Sequence, residues 1–375
     1  MAEHQGMKRR VFLHIGHPKT GSSAFQSCLA RSHQSLEEQG FLYPYHRSFG
    51  RASRLEVSSG NLSIGAEDQN WLNTGVLPVL EHNSHHHTVI FSNENLIHRL
   101  SDLTGNPEAL PSQWHVHVLL VVRNPIEQLS SVYQQLVKRH GYSQGYEEFL
   151  AEHAYRCQAT AKAASAVETL EATGISYSLF NYSALKGGVI DALTHTIGIP
   201  SELLDRPPAV PVNRSLSASE LQLMLVVNAL YGRSVGRSLA DALVNRLPEI
   251  PSIALAMGQQ SRENVVAANT GFVNALNSRL PSDAQLSLSN QPGFSGDLHC
   301  DFDAHQLQLT REILAGALSQ ETAWADRDRA LVAPRDLSRR WRRLTQRLMT
   351  AVSRLQQAQG PVQSAPGSGR RRGRS

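Results

Sequence analysis

Seven consecutive residues, His17-Pro18-Lys19-Thr20-Gly21-Ser22-Ser23, bring a cation, a glycine and adjacent hydroxyls into one turn. An apolar run, Val11 to Ile15, precedes the turn and breaks at Gly16; a helical pattern closed by Gly40 follows it. The first backbone N–H groups of a helix have no intrahelical partner, and the helix dipole favours negative charge there. Lys19 adds a mobile cation, Gly21 lets backbone approach a ligand, and Ser22 and Ser23 add hydroxyl donors. An ordinary strand–turn–helix with a surface lysine is the plainer alternative. The coincidence of all these groups at one turn favours a loop that holds phosphate or sulfate.

A second anion pocket is expected around Arg123, which ends the strongest apolar run of the chain, His115 to Val122. Ser131 lies eight residues on, one to two turns into the next helical pattern, so a guanidinium and a hydroxyl can converge on one anion. Many strands end in an arginine paired with a carboxylate, so Arg123 is informative only together with the loop. Ligands of open α/β sheets bind beyond the carboxyl ends of the strands, which places both sites on one edge. Two separated anionic groups on one ligand are implied.

These residues need a scaffold. Apolar runs at 11–15, 88–92, 115–122 and 175–180 read as strands, the third nearly continuous as in a parallel strand buried on both faces. Phe41 to Pro44 is a short extended segment, and the polar stretch to about Asn70 has no period and reads as an active-site loop. Helices are predicted near 68–82, from Asn124 (N-cap) and Pro125 to about His140, over 146–173 and over 183–197. The alternation predicts an α/β fold with a mainly parallel sheet and flanking helices. Beyond 215 the pattern is helical (217–231, 235–247, about 258–279 and 304–327), a lobe packed on the sheet rather than a separate domain. His85, His86 and His87 cannot converge on one ion as consecutive residues and read as a solvated loop, not a metal site.

The chain is long enough, at 375 residues, to bury a full core, and its apolar (41%) and charged (18%) contents are those of a globular protein. No run is long enough to span a bilayer, and the N-terminus lacks the features of a secretory signal. Cys28, Cys157 and Cys300 suit a reducing, cytoplasmic setting with no disulfide framework. Residues 335–375 carry eleven arginines and a single acid, +10 in a chain whose net charge is +4, so residues 1–334 carry −6. The pI near 9 is a property of the tail, and a nucleic-acid-binding core is not indicated. The expected organisation is a domain over 1–334, with helical additions from about 215, and a basic segment over 335–375. Within that segment Leu337, Trp341, Leu344, Leu348, Val352 and Leu355 make one stripe among arginines. An amphipathic helix is predicted there, then a disordered end; 337–374 could contact an anionic membrane or an acidic partner, making the protein membrane-peripheral, or dock on the body.

The chain resembles the sulfotransferases that use 3′-phosphoadenosine 5′-phosphosulfate (PAPS), most closely the bacterial and glycan-directed type. Pro18-Lys19-Thr20-Gly21-Ser22-Ser23 matches that family's loop for the 5′-phosphosulfate, with serines where threonines are commoner. Arg123 and Ser131, within RNPIEQLSSVYQQ, match its 3′-phosphate pair, and GFLYP after the first helix and Asn213-Arg214-Ser215-Leu216-Ser217 add weaker likeness. The resemblance covers 11–44 and 115–140, thins to about 230 and ends there. It implies a P-loop NTPase-like α/β fold, PAPS as donor and no metal. It also implies transfer of a sulfuryl group to a hydroxyl, or an amine, of a glycan, lipid or small metabolite.

The cytosolic branch's Arg-Lys-Gly segment is missing, and Arg214 is a stand-in by guess. Transfer to an alkyl hydroxyl calls for a general base. Glu94, just past the 88–92 strand, is the first candidate, since glycan-directed members use a glutamate; its alternative role is to cap the following helix. His17 is the second candidate, its alternative a loop histidine bonded to backbone. Two rival functions stand beside this one. A P-loop kinase or nucleotide hydrolase would need lysine after the glycine and a magnesium-binding acid; a non-catalytic module would bind phosphonucleotide or anion without transfer.

Overall fold

The structure, a computed structural model, describes residues 9–55, 60–62, 70–105, 111–152, 158–185, 187–206, 214–289 and 302–321. The chain divides into two compact units, Met1–Ala317 and Leu318–Ser375. The apolar stripe of 337–355 and the arginine-rich end lie outside the described residues.

The first apolar run forms β1 (Arg9–Gly16), followed by α1 (Ser22–Arg31), α2 (His33–Glu38) and the short β2 (Phe41–Leu42). After α3 (Phe49–Ser53), a π-helical turn (Leu72–Val76) and α4 (Leu77–His82) come β3 (Thr88–Ser92), a 3-10 turn (Glu94–His98) and α5 (Leu100–Thr104). Then follow β4 (Trp114–Val122), α6 (Pro125–His140), α7 (Tyr146–Glu152), α8 (Gln158–Thr173) and β5 (Ser176–Asn181). The remainder is helical: α9 (Tyr182–Leu185), α10 (Val189–Ile197), α11 (Ala218–Arg246), α12 (Gln259–Asn277) and α13 (Ala304–Glu321).

The five strands make one sheet in the order β2-β3-β1-β4-β5, every pairing parallel. This is the mainly parallel α/β architecture the sequence predicts. β1 is central, with Leu13 in register with Phe91 on one side and Val118 on the other. Successive side chains of a strand face opposite ways. Val11, Leu13 and Ile15 therefore join one core with Val167 and Leu170 of α8 and Val273 and Leu276 of α12. Phe12, Ile90, Leu119 and Val121 join the other, against Phe25 and Leu29 of α1 and Leu193 and Ile197 of α10. Each such side chain contributes about 1.5–3 kcal/mol by leaving water, and burial on both faces explains why β4 reads as a continuous apolar run.

α12 shares the core of the sheet, and the Asn228 side chain of α11 donates to the backbone oxygens of Val137 and Tyr142, beside α6. The two helices predicted at 217–231 and 235–247 form one element that kinks at Gly232 (φ 72°, ψ −173°). The single helix expected up to Gly40 breaks instead at Ser32, whose hydroxyl is engaged by the Asp205 amide.

Candidate functional site

The β1–β4 ladder continues one residue past β1, where the His17 amide donates to the Val121 carbonyl at 2.9 Å. A Cβ at Gly16 (φ 146°) would stand 2.2 Å from that same oxygen, so only glycine lets the two strand ends run this close. The turn beyond is held from several sides. The Thr20 hydroxyl donates to the His17 carbonyl at 2.7 Å, Gln128 of α6 donates to the Pro18 carbonyl at 2.7 Å, and Arg123 Nη1 donates to the Lys19 carbonyl at 3.0 Å. These bonds keep Lys19 left-handed (φ 68°), a conformation non-glycine residues rarely adopt. Gly21 caps α1 at φ 82°, packed so closely on Tyr182 and Val189 that a Cβ would touch both.

The amides of Gly21, Ser22 and Ser23 find no acceptor among the described residues, while Ala24 and Phe25 already donate back to Gly21. The result is a cluster of outward N–H groups at the start of a ten-residue helix, beside an ammonium. Among the described residues Lys19 Nζ makes only a long contact, 3.5 Å, to Gln135. Burial lowers its pKa to about 8; Glu94 opposes that shift, and Arg123 and Arg139 add to it.

Glu94 stands at the head of the turn after β3. Its carboxyl pKa is raised by burial and held back by Ser22 and by the charge of Lys19. Glu94 is not the cap of that turn: Asn93 fills the role, its side chain accepting from the Asn95 amide at 2.8 Å. His17 is buried. Its Nδ1 accepts from the Arg123 amide at 3.2 Å, the backbone role considered for it, which leaves the proton on Nε2. Nε2 lies by the backbone of Ala159 without a hydrogen bond of good geometry. Burial lowers the ring's pKa to about 4, the Ala159 backbone raising it and Arg123 lowering it further.

On the other side of α6, Arg123 and Ser131 line a cavity of about 230 Å³ with Ser130, Gln134 and the chain at Ser252–Leu255. Arg123 Nε pairs with Glu127 at 3.3 Å, its guanidinium lies 5.2 Å from the centre of the Tyr182 ring, and Nη2 has no partner among the described residues. Asn124 starts α6 as predicted, but its side chain does not cap it. Its oxygen accepts from the Ser287 amide at 3.0 Å and its nitrogen donates to Glu127. A larger cavity, about 350 Å³, lies opposite and is lined by His17, Glu94, Gln128 and Lys162 among others. Loop, arginine and serine thus meet at the carboxyl edge of the sheet, with Thr20 spent on holding the loop and Glu94 under the charge of Lys19.

Arg214 does not join them. All five of its N–H groups are taken: Nε by Leu247, Nη1 by Ser215 and Glu220, Nη2 by Glu220 and Leu243. Both members of the Arg214–Glu220 pair are buried, and Gln306 of α13 donates to the same carboxylate. Removing one partner of such a pair typically costs about 3–5 kcal/mol. Arg214→Leu is therefore expected to lower the unfolding free energy by that amount, read as a fall in the urea midpoint, without weakening nucleotide binding. Burial alone would raise the Glu220 pKa, but Arg214, the Ser217 amide and Gln306 outweigh it and hold it down. The pair's contribution is thus present above the ordinary carboxylate range and lost as pH falls through the lowered value.

Sequence reasoning missed Gln128, Lys162 and His98, which face the larger cavity. Among the described residues no helix is long and apolar enough to cross a membrane, and no His/Cys/Asp/Glu cluster is disposed to hold a metal.

Fold and site together define a parallel α/β protein whose first strand leads into a turn that brings a lysine beside unclaimed helix-start amides. Among solved structures, a sulfotransferase from Alicyclobacillus acidocaldarius superposes with a TM-score of 0.39 at 13% identity, over 72% of this chain and 95% of that one. The sulfotransferase domain from the curacin biosynthetic pathway gives 0.33 at 15% identity, over 70% of this chain and 98% of that one. No family model and no curated protein matches the chain. Superpositions this loose carry no argument about activity, which rests on the site alone.

Proposed function

We propose that this protein is a sulfotransferase that moves the sulfuryl group of PAPS to an acceptor hydroxyl. One observation carries the reading. The amides of Gly21–Ser23, without an acceptor among the described residues and beside Lys19, share a sheet edge with Ser131 and with Arg123, whose Nη2 is likewise open, an arrangement that suits a nucleotide phosphorylated at both ends. The loop and Lys19 would hold the 5′-phosphosulfate; Arg123 and Ser131 would hold the 3′-phosphate. Glu94 would take the acceptor's proton as the acceptor oxygen bonds to sulfur. As the bond from sulfur to the bridging phosphate oxygen breaks, Lys19 and the amides would take up the charge left on the departing phosphate. Of the two candidate bases, Glu94 is favoured because the His17 ring is buried, its Nδ1 already accepting from the Arg123 amide and its protonated Nε2 lying by the Ala159 backbone, so neither nitrogen is placed to take a proton.

The test is calorimetry with desulfated donor, 3′,5′-phosphoadenosine, followed by transfer from radiolabelled PAPS. Arg123→Ala is expected to weaken 3′,5′-phosphoadenosine binding about 100-fold, the scale of a charge-assisted pair, and to leave binding of the analogue without a 3′-phosphate nearly unchanged. Equal losses for both nucleotides would remove Arg123 from the 3′-phosphate site. Magnesium-dependent ATP hydrolysis would favour the kinase or hydrolase reading, and nucleotide binding without transfer a non-catalytic one.

A further inference from the structure

The lining of the smaller cavity, about 230 Å³, comes from two sources. One is α6, which contributes Ser130, Ser131 and Gln134, with Arg123 just ahead of the helix. The other is Ser215 and the run Ser252–Leu255, which belong to no helix or strand element. An irregular wall keeps its shape only through its anchors, and Gln134 is the central one. Its Oε1 accepts from the Leu216 amide at 2.7 Å, and its Nε2 donates to the Ile253 carbonyl at 2.9 Å. The Ile253 amide donates to the Leu216 carbonyl at 3.1 Å, so the side-chain amide closes a ring of three hydrogen bonds between the two segments. Ser130 Oγ takes the Leu255 amide at 3.1 Å, and the Ser252 hydroxyl donates to the Ser215 carbonyl at 2.9 Å.

Gln134 is only 1% exposed. Burying a primary amide costs free energy unless both its ends are bonded, and an apolar side chain of that size would pack α6 against these segments as well. What the amide adds is register, because a satisfied buried network holds its members in one arrangement. The members held here share a cavity with Arg123 and Ser131. Among them, exposed Ser252 and Ala254 have backbone amides without an acceptor among the described residues. Exposed amides alone are ordinary. On an anchored wall beside the open Nη2 of Arg123, they are donors held ready for the same anion.

Arg214 is outside this clamp. With its guanidinium removed, its carbonyl still accepts from buried Lys138 Nζ at 2.7 Å, and Gln134 still holds the Leu216 amide. Losing Arg214 is thus an effect on stability, and losing Gln134 an effect on binding.

We infer that Gln134 is a positioning residue for the nucleotide: it fixes Ser252–Leu255 beside Arg123 and Ser131, so that the amides of that run complete the 3′-phosphate site. The inference rests on the donor reading and adds to it a residue that acts through the wall it holds.

The test measures binding of 3′,5′-phosphoadenosine and of adenosine 5′-phosphate by calorimetry, for the wild type, Gln134→Met and Ser252→Ala, with each melting temperature alongside. Gln134→Met keeps the length of the side chain and removes both bonds. It is expected to weaken 3′,5′-phosphoadenosine about tenfold, the scale of one hydrogen bond to a charged group, and to leave adenosine 5′-phosphate within about twofold. In turnover the loss falls on KM for PAPS rather than on kcat, as removal of ground-state binding does. Ser252→Ala, which cuts only the exposed bond to Ser215, should move the same ratio the same way by about threefold. A glutamine that only supports the fold would lower the melting temperature and weaken both nucleotides alike. That result, or an unchanged ratio, overturns the inference and leaves the donor reading standing. Should Gln134→Met fail to fold, the ratio in Ser252→Ala decides alone. A wild type with no preference for the 3′-phosphorylated nucleotide overturns the donor reading and the inference with it.

Discussion

Lys19→Ala is expected to lower kcat by about 10²–10³-fold, the cost of removing one donor aimed at charge that develops in the transition state. Its fold should survive. Among the described residues the side chain makes a single long contact, and the left-handed backbone at position 19 is held by bonds to its neighbours' carbonyls and its own rather than by the ammonium. Stability has a definite sign as well. The Lys19 pKa is lowered to about 8, so the folded protein holds this proton less tightly than the unfolded chain does. A protonated Lys19 therefore opposes folding below that value, and the alanine variant should melt at or above the wild-type temperature.

The same lowered value sets a pH limit. Only the ammonium neutralises the leaving phosphate, so kcat/KM, which reports the free enzyme, should fall as pH rises through about 8. Bound anion raises the lysine pKa, which moves the falling limb of kcat to higher pH. Lys19→Arg, whatever its rate, should lose that limb, because a guanidinium stays charged throughout. Near-wild-type sulfation by Lys19→Ala would remove the lysine from the mechanism.

What the sequence disclosed, and what it hid, follows from where the information sits. β1, β3 and β4 were legible because a parallel strand buried on both faces reads as an apolar run, β5, a half-buried edge strand, because Tyr177, Leu179 and Phe180 follow a left-handed Gly174, and α6 because Pro125 can start a helix and left-handed Gly141 can end it. The turn after β1 was legible because its polar groups are consecutive. Arg123 and Ser131 were legible as one strand end and one helix face. Roles decided by long-range partners were not. Asn124 resembles a cap, but its oxygen is claimed by Ser287, 163 residues away. Arg214 resembles a ligand, but the carbonyls that fill it come from Leu243 and Leu247, brought back by α11.

Gln128 carried a weak signal. On α6 it lies with Val132 on a stripe facing the larger cavity, while Glu127, Ser130, Ser131 and Gln134 face the smaller one. A helix between two cavities shows two polar stripes, and only the one tied to a motif draws the eye. Lys162 lies in an alanine-rich helix and carried no signal at all.

Glu94→Gln is expected to reduce kcat by about 10²–10⁴-fold, the usual contribution of a positioned base, with 3′,5′-phosphoadenosine affinity little changed. The carboxylate works only when ionised, and its burial raises the pH at which it ionises. The rising limb of the wild-type kcat/KM profile should therefore lie above the ordinary glutamate range, and the glutamine variant should lack it. Lys19 pulls the Glu94 pKa down, so Lys19→Ala should move the rising limb to still higher pH as it lowers the plateau. That coupling separates a base under the charge of the ammonium from a glutamate that only shapes the cavity, which would cut turnover in the glutamine variant yet leave the limb in place.

The stability sign agrees. A carboxyl whose pKa is raised on folding binds its proton more tightly when folded, so its contribution declines as pH rises through the raised value. Above that raised value the ionised Glu94 is a cost to the fold, and there Glu94→Gln should melt at or above the wild type. A variant that loses turnover while gaining stability is what a residue kept for chemistry, rather than for packing, would give. A lower melting temperature together with unchanged pH limbs would assign Glu94 to structure and leave the proton without a recipient.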